Sequence, residues 1–185
     1  MTQQAPIISV FGSSQVPVGS PAYEEAQILG GLLARAGFSV CSGGYGGTME
    51  AVSRGAKEAG GTVIGVTTSR FAHLKANAWV DREMRMATFP ERLQTLIEMG
   101  QGYLAMHGGI GTLTEISMVW SMLQTKSIPP RPLVLLSDPW QQLLRFCTDS
   151  LIIRPSDFDY LQLVDTPERA VRALTRSLGR PDMQP

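Results

Sequence analysis

The stretch Gly102-Tyr103-Leu104-Ala105-Met106-His107-Gly108-Gly109-Ile110-Gly111-Thr112-Leu113-Thr114-Glu115 decides the fold. Its first five residues are a short run without polar alternation, the pattern of a strand buried on both faces. Glycines follow at once, and a helical pattern then runs over 111–124. Strand, glycine turn and helix form the repeating unit of a parallel sheet.

The same unit recurs on either side. Residues 7–11 form an apolar run that ends at Gly12-Ser13-Ser14. Ser20-Pro21 then opens a helix, with serine as N-cap, proline at the first helical position and Glu24-Glu25 near the positive end. Its apolar face is Ala22, Ala26, Leu29, Leu33 and Ala36, and Gly37 stops it. A strand at 38–41 leads through Ser42-Gly43-Gly44-Tyr45-Gly46-Gly47 into a helix over 48–59, followed by a strand at 62–66. Further along, helices are predicted at 90–99, 139–151 and 166–178, and strands at 132–136 and 160–164. Residues 67–87 break the rhythm, holding Arg70, His73, Lys75, Trp79, Arg82 and Arg85 without clear periodicity. They are expected to form a functional loop with a short helical piece. The chain is therefore predicted to be α/β: one doubly wound, Rossmann-like parallel sheet with helices on both faces, residues 1–185 as one domain with a core of about 6–179.

Composition narrows the function classes. Lys+Arg 16 against Asp+Glu 16 gives a formal net charge of +0, so bulk charge advertises neither nucleic acid nor a membrane surface. Cys41 and Cys147 are the only cysteines, and His73 and His107 the only histidines. A disulfide framework and a Cys/His metal cluster are both excluded as expectations, and no cofactor is called for. The first residues lack a basic n-region and no apolar run reaches membrane-spanning length, so a cytoplasmic protein is expected.

Glycine carries the functional signal: Gly 19 in a chain without low-complexity sequence. Three clusters follow predicted strands: Gly12-Ser13-Ser14, then Gly43, Gly44, Gly46 and Gly47, then Gly108, Gly109, Gly111 and Thr112. In such a sheet all three face one edge, and two lead directly into helices. Glycine turns at helix N-termini present unpaired N–H groups and a positive dipole end to an anion, with phosphate the natural ligand. For a single loop, tight turning alone is an equal explanation. Convergence of three favours binding of a phosphorylated small molecule. No G-x-x-x-x-G-K-[ST] loop exists, the second loop lacks G-x-G-x-x-G spacing, and no acid ends the third strand. ATP hydrolysis by that route and a dinucleotide cofactor are therefore not expected.

Two charged residues lie close to this edge. Glu115 falls one turn into the helix after the last cluster, where dipole complementarity is its plain alternative role. Arg92 falls near the start of a helix, where the dipole disfavours a cation; a ligand role or a solvated surface side chain are the two readings. His107 reads as a packed loop histidine. Met118, Val119 and Met122 read as core or subunit contact.

Glu91-Arg92, then Gly108-Gly109-Ile110-Gly111-Thr112-Leu113-Thr114-Glu115, resembles the motif pair of the LOG family, often labelled "lysine decarboxylase-like". Ser42-Gly43-Gly44-Tyr45-Gly46-Gly47-Thr48-Met49 resembles that family's earlier glycine loop, and Val10-Phe11-Gly12-Ser13-Ser14 its first strand and turn. The resemblance spans roughly residues 6 to 152. It implies a homodimer that cleaves the N-glycosidic bond of a nucleoside 5′-monophosphate, of AMP or cytokinin-ribotide type. It also implies Arg92 and Glu115 as the catalytic pair, with Gly108, Gly109, Gly111 and Thr112 as the phosphate cradle. The chain departs from the family pattern at His107, where the motif has proline, and at Leu93, where it has lysine. A related branch binds molybdenum cofactor without hydrolysing it, so a non-catalytic carrier or sensor of a phosphorylated ligand is the alternative. A pyridoxal-phosphate decarboxylase is not expected, because Lys57, Lys75 and Lys126 are the only lysines and none falls on the ligand edge.

Overall fold

The computed structural model describes residues 5–71, 73–136 and 138–180. Among these residues seven strands form one parallel sheet, in the order β4-β3-β2-β1-β5-β6-β7. In chain order the strands are β1 (Ile7–Phe11), β2 (Ser39–Ser42), β3 (Val63–Thr68), β4 (Arg82–Met86), β5 (Gly102–Ala105), β6 (Leu133–Leu136) and β7 (Leu161–Val164). The helices are α1 (Pro21–Arg35), α2 (Thr48–Glu58), α3 (Phe89–Met99), α4 (Ile110–Gln124), α5 (Asp138–Ser150) and α6 (Pro167–Ser177). Among the described residues no helix is long and apolar enough to cross a membrane.

The strands β1 to β4 add outward in one direction, and the chain then returns to place β5 against the free side of β1. Strand order reverses between β1 and β5. Sheets of this kind bind ligands in the crevice outside that reversal.

Alternation along the strands divides the core into two layers. Ile8, Val10, Val40, Val63, Leu104 and Val134 face α1, α2 and α6. Phe11, Cys41, Ile64, Val66, Tyr103, Ala105 and Leu135 face α3, α4 and α5. Burial of this kind stabilises by about 25 cal/mol per Å² of apolar surface, so each apolar strand is held from both sides.

One element was not expected. Residues 82–86 form β4 inside the segment predicted as loop, pairing in parallel with β3 from Ile64↔Arg82 to Thr68↔Met86. The strand is Arg-Glu-Met-Arg-Met and mostly exposed. It lies at the sheet edge, where charged side chains are favoured because they discourage pairing with another chain, and this hides its strand pattern. The expected short helical piece is the 3-10 turn Ser69–Phe71.

The return connection is α3, and it is fastened at both ends. Thr88 and Glu91 make a capping box at its start. Near its other end the Leu96 carbonyl accepts from Ser9 Oγ at 2.6 Å, and the Ile97 carbonyl accepts from Tyr103 Oη at 2.8 Å. Arg131 donates to the Gly100 carbonyl just beyond. The helix is thereby fixed across the middle of the sheet, which determines where its first turn points.

Candidate active site

A cavity of about 600 Å³ opens at the crevice between β1 and β5. Gly12, Ser13 and Ser14 line it from the end of β1, and Gly109, Gly111 and Thr112 from the start of α4. Arg92 and Glu115 line it as well. Those residues come together from the first strand end, the return helix and α4, as a switch-point site requires.

Arg92 is 6% exposed, so its guanidinium is inside the protein and not a solvated surface group. Its Nε donates to the Val66 carbonyl within β3, at 2.8 Å. Cζ lies 5.7 Å from the centroid of the Tyr45 ring, a cation–π approach. Gly43 makes room for it: a Cβ there would overlap Arg92 Nη2. Arg92 Nη1 is 3.9 Å from Glu115 Oε1, an ion-pair distance too long for a hydrogen bond.

Glu115 is 7% exposed. Burial raises its carboxyl to about 7, against the lowering effect of the Arg92 charge. Desolvation therefore outweighs attraction, and the group is poised to exchange a proton near neutrality. Cys41, packed behind the site, is pushed up to about 12, chiefly by burial, and is a neutral core thiol.

The start of α4 is shaped for an anion. Gly109 is its N-cap and supplies no side-chain cap. A Cβ on Gly109 or Gly111 would meet nothing within 4 Å, so space lies in front of both. Thr112 is 1% exposed and its Oγ1 has no hydrogen-bond partner. A buried hydroxyl without a partner is costly, and a bound acceptor would remove that cost.

The remaining expected residues sit beside the cavity, not on its wall. Gly43 backs Arg92. Gly44, at φ 74, packs on Gly65, and its carbonyl accepts from the Asn77 amide. Gly47 has φ 66 and lies against Ser13 O, a contact that a Cβ would destroy. Gly46 faces Glu50, and Gly108 packs on the Thr112 side chain. These glycines shape the loops that carry the lining residues.

Sequence reading missed one wall. Tyr45, Met49, Phe71, His73, Leu74 and Phe89 close the outer side of the cavity. Phe71 and Leu74 come from the segment read as a functional loop. Tyr45 had a visible signal, since a large aromatic between glycine pairs is out of place in a loop built for tight turning. His107 is not on the wall; its Nδ1 lies 3.8 Å from Glu25 Oε2 on α1. Leu93 packs against the core layer beneath α3.

A family model described as "Possible lysine decarboxylase" matches residues 49–174. The chain belongs to this family, the LOG family. A Mycobacterium tuberculosis protein named cytokinin riboside 5′-monophosphate phosphoribohydrolase is 27% identical over 171 residues, 87% of this chain and 89% of that one. A Mycobacterium marinum protein of the same name is 31% identical over 123 residues, 63% of each chain. The molybdenum cofactor binding protein of Rippkaea orientalis shares the fold, with a TM-score of 0.77 at 24% identity over 96% of this chain and 99% of that one. The match includes Arg92 and the glycine motif at 108–112, and it begins just after the loop at 42–48. The family's "lysine decarboxylase" label finds no lysine on the cavity wall among the described residues: Lys57 Nζ pairs instead with Asp81 at 2.7 Å.

Proposed function

We propose that this protein hydrolyses the N-glycosidic bond of a nucleoside 5′-monophosphate, releasing free base and ribose 5-phosphate. One observation carries the reading: a buried Arg92–Glu115 pair shares its cavity with a helix N-terminus whose Thr112 hydroxyl has no partner. The mycobacterial relatives' name supports it.

The substrate phosphate lies against the N–H groups of Gly109, Ile110 and Gly111, with Thr112 Oγ1 as a further donor. Ribose then extends toward Glu115. As the C1′–N bond breaks, its electrons leave with the base and positive charge develops at C1′ and the ring oxygen. Ionised Glu115 faces that charge and orients the water that adds to C1′. The hydroxyl stays on C1′ and the water's other proton ends on the base nitrogen. Arg92 stabilises the electrons departing with the base. The base rests against the apolar wall of Tyr45, Phe71 and Phe89. The step as written calls for no metal or organic cofactor.

A carrier of a phosphorylated ligand is the second reading, favoured by the departures at Leu93 and His107 and by the molybdenum-cofactor relatives of the same fold. Both departures lie off the cavity wall, which leaves the catalytic pair intact and favours the hydrolase. A homodimer is assigned through α4, whose outer side bears Ile110 and Met118 at 81% and 44% exposure.

The test is a panel of nucleoside 5′-monophosphates assayed for free base. Release that disappears in Glu115→Gln supports the hydrolase. No release from any member, together with a ligand-induced rise in melting temperature, identifies the carrier instead.

A further inference from the structure

We infer that Tyr45 is a positioning residue of this site, whose ring holds Arg92 toward Glu115 and whose hydroxyl anchors the segment bearing Phe71. The inference rests on the hydrolase reading for its kinetic meaning, and its geometry is independent of that reading.

A guanidinium has five N–H groups. Among the described residues, Arg92 donates only from Nε, to Val66 O. That single bond fixes one edge of the planar group. Glu115, at 3.9 Å, is too far to fix the opposite edge by a hydrogen bond. What limits the swing of the terminal nitrogens is packing: Gly43 on one side and the Tyr45 ring, 5.7 Å from Cζ, on another.

Tyr45 is itself held more firmly than a core tyrosine needs to be. It is 4% exposed. Its hydroxyl accepts from the Thr68 N–H at 2.9 Å and donates to the Thr68 carbonyl at 3.3 Å. Its own carbonyl accepts from Asn77 Nδ2 at 3.0 Å. Thr68 is the last residue of β3, and the next three residues are the turn that ends in Phe71. The Phe71 ring meets Tyr45 edge-on at 5.9 Å and lines the cavity with Leu74. One side chain thus meets Arg92 with its ring and, through its hydroxyl, holds the end of β3 from which the turn bearing Phe71 departs. The two contacts serve different steps: the first acts on the developing charge, the second on the bound base.

Two variants separate them. Tyr45→Phe keeps the ring and loses the tie to Thr68. Tyr45→Leu loses both. Base release from AMP is measured for each, alongside the protonation midpoint of Glu115 by NMR of carboxyl-labelled protein. In Tyr45→Phe, KM is expected to rise by about threefold to tenfold while kcat stays within about twofold and the midpoint holds. In Tyr45→Leu, kcat is expected to fall by about tenfold or more, and the midpoint to move upward as Arg92 swings away. A purely structural tyrosine would lower the melting temperature and leave the midpoint unmoved. Unchanged kcat and midpoint in Tyr45→Leu overturn the inference, and so does the same kinetic change in both variants. Should the wild type release no base from AMP or the wider panel, the hydrolase reading fails while the Glu115 midpoint still decides the role of the ring. Should Tyr45→Leu not fold, Tyr45→Met fills more of the volume without an aromatic face and carries the same expectation.

Discussion

Replacing Glu115 with glutamine should stabilise the fold and silence the site. The carboxyl titrates near 7 in the folded protein, against an ordinary value of 4.5 in the unfolded chain. The native state therefore keeps a proton that the unfolded chain has released, and stability falls as pH rises from about 4.5 to about 7. Each pH unit between those two values is worth about 1.4 kcal/mol, so above pH 8 the ionised side chain costs the fold roughly 3 kcal/mol. Glutamine resembles the protonated acid in shape and carries no charge. The Glu115→Gln gain should be about 1 kcal/mol at pH 5.5 and should grow by roughly 2 kcal/mol at pH 8.5. Urea unfolding of both proteins at the two pH values reads this directly. Base release should drop by about a hundredfold or more, because the charge facing C1′ is gone. A glutamine variant equal to or weaker than wild type at pH 8.5 refutes the reasoning. Attraction to Arg92 would then outweigh desolvation, and the carboxylate would be a stabilising partner rather than a strained one.

Four further outcomes follow from the same geometry. Base release should increase with pH through about 7, as Glu115 ionises, and a rate flat from pH 6 to 8 would count against its role. Gly43→Ala should displace Arg92, costing about 1–3 kcal/mol in stability and most of the activity, whereas Gly109→Ala, facing open space, should raise KM with only the small loss of stability that alanine brings at an N-cap. Thr112→Val removes the unpartnered hydroxyl; the unliganded protein should gain about 1–2 kcal/mol, and the stabilisation by ribose 5-phosphate, followed by thermal shift, should shrink. Met118→Glu should halve the particle mass in light scattering if α4 joins two copies.

Much of the fold is legible in sequence because the inner strands are covered on both faces. Residues 7–11, 62–66 and 132–136 are short apolar runs for that reason, and glycine marks the ends of two of their neighbouring elements. The edge strand β4 is illegible by the same physics: a strand covered less needs fewer apolar residues, and Arg82, Glu83 and Arg85 protect its open side. At the candidate site, the helix-terminal glycines announce themselves locally, since a turn before a helix is a short-range feature. The burial of Arg92 does not. It depends on Val66 O and on the space above Gly43, 26 and 49 positions away in the chain, and nothing near residue 92 encodes either. The apolar wall is hidden likewise, because Phe71, Leu74 and Phe89 join Tyr45 around one cavity only after β3 and α3 have docked.

Gly43 and Arg92 share one volume, and this links the histories of two motifs that are far apart in the chain. Position 43 cannot enlarge alone: a side chain there evicts the guanidinium and presses on Met49 Sδ as well, so both must give way. A lineage that abandons the reaction is freed at both positions, and the glycine is then open to drift. Across proteins with this backbone, a residue other than glycine at position 43 should accompany loss of the arginine. The pair therefore offers a way to sort hydrolases from silent binders by reading two letters, without an assay.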